Sequence, residues 1–160
     1  MTKPYTRYLR GFEAVEAFCF LVMLPCNFNW LSEELKNLLS LHLMAKRIES
    51  GEIVAFGQYD ADHKLVGILA GVIENNNWHV HVYSVKNSKC DIADLGRQTQ
   101  KLFKTIFPDV TKLVGAIPEI NRAARIYARR NGFKHTGYDE NYFYLKEGKQ
   151  QKIMIFEKEI

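Results

Sequence analysis

Two stretches carry residue types able to do chemistry. In WHVHVYSV, from Trp78 to Val85, His79, His81 and Tyr83 alternate with Trp78, Val80 and Val82. Strand side chains point to opposite faces in turn, so the histidines and the tyrosine share one face. An imidazole titrates near neutrality, which suits a general base. A polar outer face on a half-covered strand accounts for the same pattern. A metal clasp would need a third ligand, and none is evident nearby.

The second stretch, EINRAARIYARRNGFK, places Arg122, Arg125, Arg129 and Arg130 on one short helix that Gly132 ends, with Lys134 just past it adding to the basic charge. A basic helix of this kind reads as a solvated outer face. It also reads as a surface for the phosphates of a cofactor, for an acidic protein or for nucleic acid. No helix-turn-helix pattern or finger spacing accompanies it, so nucleic acid is not the expected partner.

The totals narrow these options only slightly. Lys plus Arg outnumber Asp plus Glu by 22 to 18 in 160 residues, giving a formal charge of +4. That favours anionic ligands without choosing one. Cys19, Cys26 and Cys90 form no CxxC pair, and their odd number fits a reduced, cytoplasmic protein with neither disulfides nor zinc. FEAVEAFCFLVMLP follows a basic start and imitates a signal peptide, but Glu13 and Glu16 break its apolar run. The unbroken part is shorter than the roughly 20 residues that span a bilayer, so no membrane is expected.

The elements that would position these residues succeed one another without a linker or repeat, which implies one domain over residues 1–160. Tyr5 to Leu9 reads as a strand and Glu13 to Leu24 as a helix stopped by Pro25. Ser32 is placed to cap a second helix, carried by Leu35, Leu38, Leu39, Leu43 and Ile48 up to Gly51. EIVAFGQY, KLVGILAGVIE and WHVHVYSV are three strands joined by turns at Asp60 to His63 and Asn75 to Asn77. Asp91 to Phe107 is a helix, KLVGAI a short strand, the basic stretch the last helix. GYDENYFYL and KIMIFEKE form a closing hairpin around Glu147 and Gly148. This order implies an α/β (α+β) fold: a mixed, mainly antiparallel sheet of about six to seven strands with about four helices on both faces.

That order, together with NRAARIYARRNGF, resembles the GNAT superfamily of N-acetyltransferases. Asn121, Ala124, Gly132 and Phe133 stand at the spacing of the family's late helix. The resemblance implies acetyl-CoA as cosubstrate and an amine as acceptor, on a small molecule or a protein. It also implies a loop before a helix whose amides cradle the pyrophosphate, which here is VKNSKCDIADLGR. The loop departs from the family pattern in both registers, whether Cys90, Ala93 and Leu95 or Asp91, Asp94 and Gly96 are aligned with it, and Asp91 and Asp94 would repel a phosphate. Lys86, Lys89 and Arg97 could offset them.

On the same basis the cofactor-binding candidates are Tyr83, Val85, Lys89, Ala93, Gly96, Arg97, Asn121 and Tyr127. The backbone from Tyr83 to Val85 corresponds to the family's oxyanion donor. His79 matches the position of a family base and is the first choice, with His81 beside it. The family's acid tyrosine would fall at Ala128, and Tyr127 comes one residue early, about 100° away around the helix. Tyr127 remains the candidate acid, or else packs on the sheet. The worn loop is also similar to degenerate phage proteins of this fold, which implies an alternative: a catalytically inactive binding or structural protein, such as a virion-associated one. A homodimer is a further expectation.

Overall fold

The computed structural model describes residues 2–31 and 36–160. Strand β1 (Tyr5–Leu9) leads into helix α1 (Gly11–Val22). Pro25 does more than stop α1. It opens a four-residue helix, α2 (Pro25–Phe28), where its fixed φ and missing N–H suit a first helical position. Helix α3 (Leu38–Glu49) starts from Asn37, whose side chain accepts from the Ser40 N–H at 2.8 Å. The cap expected at Ser32, and Leu35 with it, lie outside the described residues.

Strands β2 (Ile53–Tyr59), β3 (Leu65–Glu74) and β4 (Asn77–Ser84) form the expected meander. Its turns place His63, Asn75 and Asn76 at positive φ, which Asn tolerates better than branched residues do. Helix α4 (Ile92–Ile106), strand β5 (Lys112–Pro118) and helix α5 (Arg122–Arg130) follow. Gly132 takes a φ of +84° after α5, and the Phe133 N–H returns to the Ala128 carbonyl at 3.0 Å. This is the helix exit that NGF announced.

The chain then runs through β6 (Lys134–Tyr138), β7 (Tyr144–Lys146), β8 (Lys149–Gln151) and β9 (Ile153–Glu159). The closing hairpin is thus split. The turn at Glu147 and Gly148 belongs to a small separate ladder of β7 with β8, while β6 pairs with β9 in the main sheet. The main sheet has seven strands in the order β1-β2-β3-β4-β5-β9-β6, and all its pairings are antiparallel except β4 with β5.

Two cores cover the sheet. On one face Phe18 and Leu21 of α1 and Ile48 of α3 meet Leu9, Ile53, Ala55, Ile68 and Ala70. On the other, Phe103 of α4 and Ala128 of α5 meet Val54, Phe56, Leu69, Trp78, Val80 and Phe156. β2 and β3 are covered on both sides, which is why their sequences run apolar almost without alternation. β4 alternates because its α1 face stays partly open at His79 and His81. Among the described residues, no helix is long and apolar enough to cross a membrane.

Candidate functional site

The opening in the sheet lies where its one parallel pair separates. β4 and β5 pair at Asn77 with Lys112, Trp78 with Leu113 and His79 with Val114, and then part. Trp78 fixes this point: it is fully buried and stacks on Phe103 with ring centroids 4.1 Å apart. Beyond His79, β4 continues for five residues with β3 alone, and β5 continues with β9 alone.

The groups facing the opening follow from register. Val85 donates its N–H to the Val66 carbonyl at 2.9 Å. Bonded pairs alternate along an antiparallel ladder, so Tyr83, His81 and His79 also turn their backbone groups toward β3. Val80, Val82 and Ser84 turn theirs toward β5. The Val85 amide, a candidate for cofactor contact, is therefore spent inside the sheet, and the same parity applies to Tyr83. The Val80 N–H closes the last bond to β5 beside Val114, so the backbone donor left for the opening is Val82.

At its far end this edge is covered. The Asn27 side-chain amide donates to the Ser84 carbonyl at 3.0 Å and to the Leu21 carbonyl at 2.7 Å, and the Cys26 thiol lies 3.6 Å from Ser84 O. Nothing in the sequence pattern singled out Asn27. Its role comes from α2 meeting β4 across 57 residues.

His79, His81 and Tyr83 do share a face. Tyr83 packs edge-on against Phe18, and burial pushes its pKa up to about 12. His81 is held below the usual imidazole range, first by desolvation and then by His79. The residue keeps an exposed surface, which limits that depression. His81 lies two residues beyond His79, which is the last residue of β4 level with a β5 partner.

The α4 end of the site is organised differently. Asp91 caps α4, accepting from Ala93 N at 3.0 Å and Asp94 N at 3.3 Å. Arg130 of α5 donates to both Asp91 oxygens at 3.2 Å. Asp94 pairs with Arg97 at 3.3 Å and accepts from Gln98 at 3.0 Å. The Ala93 amide is thus engaged within the chain. Arg97 also reaches the Arg130 carbonyl at 3.4 Å. Lys89, Asp91 and Asp94 line a cleft of about 470 Å³ together with Lys3, Asp60 and Asp62.

Gly96 serves packing between the two helices: a methyl there would collide with Asn131 Oδ1 and Tyr127 Oη of α5. Tyr127 points at α4, not at β4. Its hydroxyl is buried without a hydrogen-bond partner, and Gln58 approaches it without closing a bond. Burial pushes its pKa up, so it stays protonated. Asn121 caps α5, accepting from Ala124 N at 3.1 Å. Beneath the seam, Lys158 donates to Gln100 Oε1 at 2.6 Å and to the Asn131 carbonyl at 3.0 Å.

A mixed sheet with one splayed parallel pair, helices on both faces and a helix after each splayed strand defines a class of fold. No protein-family model matches the sequence, and no curated protein does. Among solved structures, spermidine N-acetyltransferase from Vibrio cholerae, in complex with CoA and spermine, superposes with a TM-score of 0.77 at 15% identity, over 98% of this chain and 95% of that one. A ribosomal L7/L12 alpha-N-protein acetyltransferase in complex with CoA gives 0.77 at 16% identity, over 100% and 96%. The ribosomal-protein-S5-alanine acetyltransferase from Vibrio fischeri gives 0.68 at 15%, over 96% and 91%. The chain has the fold of the GNAT N-acetyltransferases.

Proposed function

We propose that the chain is an acyl-CoA-dependent N-acyltransferase acting on an amine. One observation carries the reading: β4 presents an open backbone edge around Val82, between its last pairing with a splayed β5 and the Asn27 contact at Ser84. The arm of an acyl-CoA bears amides in series, and such an arm can pair with a strand edge as a further strand does. The neighbours crystallised with CoA share this fold and lend the reading support.

The donor supplies an activated thioester. The amine attacks its carbonyl carbon, the C–S bond breaks, and the amine gives up a proton while the thiolate takes one. The Val82 amide is the donor for charge developing on the carbonyl oxygen. His81, kept neutral, takes the amine proton, with His79 as the nearby alternative. Tyr127 is given no part in returning a proton, because its hydroxyl is enclosed between α4, α5 and β2.

Calorimetric titration with acetyl-CoA and CoA tests the reading. Binding in the micromolar range supports it, followed by transfer to a panel of amines that His81→Ala or His79→Ala slows by about a hundredfold. Absence of binding at millimolar ligand overturns it and leaves a protein that uses the fold for binding or structure.

A further inference from the structure

A helix N-terminus offers unpaired amides and a positive dipole end, so it attracts anions. At α4 that demand is already met from within. Asp91 takes the Ala93 and Asp94 amides, Arg130 grips both oxygens of the same carboxylate, and Arg97 with Gln98 satisfies Asp94. All four carboxylate oxygens accept at least one bond inside the chain. The Tyr127 hydroxyl is enclosed one turn further along, against Gly96, and does not belong to this position. Two guanidinium groups and two amides would suit a phosphate, but a carboxylate already stands among them. Asp60 and Asp62 across the adjoining cleft add to the repulsion.

We propose that Asp91 is a specificity determinant: its carboxylate is the chain's own anion at the start of α4, and it keeps a phosphate of any ligand out of that position. Any acyl donor is then recognised through its pantetheine arm on the β4 edge, and its nucleotide end adds little. Pantetheine thioesters therefore serve about as well as the CoA thioester. This consequence for the donor rests on the acyltransferase reading, whereas the exclusion of phosphate does not.

Two titrations separate the claims. In the first, inorganic pyrophosphate is added to the wild type, Asp91→Asn, Asp91→Gly and Asp109→Asn, the last changing charge equally in an exposed loop beyond α4. Asparagine also caps helices, so Asp91→Asn keeps the fold if the glycine variant does not, as circular dichroism will report. The expected result is at least about tenfold tighter pyrophosphate binding in the Asp91 variants than in the wild type and Asp109→Asn. Micromolar binding by the wild type, or Asp91 variants that behave like Asp109→Asn, overturns the exclusion. In the second, pantetheine and CoA are compared on the wild type, with affinities expected within about threefold. CoA binding more than about thirtyfold tighter overturns the donor claim. If neither binds, both the acyltransferase reading and the donor claim fall, and the pyrophosphate titration alone judges Asp91.

Discussion

The β4 edge and the start of α4 both offer backbone groups to a ligand, and the chain treats them in opposite ways. Along β4, pairing with β5 stops at His79, so beyond Val80 the groups turned away from β3 have no strand beside them. At α4, the chain's own side chains take up the amides, and α5 is tied across by Arg130, Arg97 and Gln100. An unpaired strand edge leaves backbone donors and acceptors free for a further strand-like partner. A capped helix start gains stability and gives up its readiness for an anion. The two ends of one opening thus differ in whether the chain has already answered its own backbone.

The strongest way to break the contrast is to remove the pin at the splay. Trp78→Ala deletes a fully buried ring stacked on Phe103 and should cost about 4 kcal/mol in urea unfolding. A cost below about 1 kcal/mol would mean that the separation of β4 from β5 does not depend on that stack.

A smaller effect is expected at the seam. Gly96→Ala gains helix propensity but crowds Tyr127 and Asn131, for a net loss of about 1 kcal/mol. Tyr127→Phe removes a buried, unpartnered hydroxyl and should be neutral or stabilising. In the double variant the loss should shrink, a coupling that a double-mutant cycle measures directly. Simple additivity would place Tyr127 away from Gly96.

The smallest effect is a pH dependence from His81. Its folded pKa lies below its unfolded value, so the unfolded chain binds more protons as the pH drops through about 6.5, and stability falls with it. Above that pH the contribution of His81 is fully present. His81→Gln should flatten the thermal-denaturation profile in this window, and an unchanged slope would assign it to another group.

Much of the fold was legible because local signals agreed with it. The turns at His63 and the asparagines, the exit at Gly132, and the alternation of His79, His81 and Tyr83 each have a local physical cause. The division of the closing hairpin was not legible, since the turn at Glu147 and Gly148 is equally correct for a long ladder and a short one. Cap identities were half readable. Asp91 and Asn121 sit at helix starts as their types suggest, but the start of α3 at Asn37 competes with several polar residues before it.

The site was least legible. That Asn27 covers the Ser84 carbonyl and that Arg130 holds Asp91 are facts about residues far apart in sequence, set by tertiary packing. Strand parity was the subtler loss. Val85 lies just past the end of β4, and whether an amide there faces β3 or the opening changes with a shift of one residue. Gly96, read as a phosphate-loop glycine, has a packing reason of its own in Tyr127 and Asn131.

The position of β9 between β5 and β6 also sets a timetable. Strands β1 to β4 follow one another and can pair as they emerge, but β5 and β6 have no neighbour on that side until Ile153–Glu159 has been made. During synthesis β1 to β4 are therefore made well before the strand that β5 and β6 share. β9 is the strand that ties β6 to β5, so the side of the opening that β5 forms gains its second neighbour only after Ile153–Glu159 has been made.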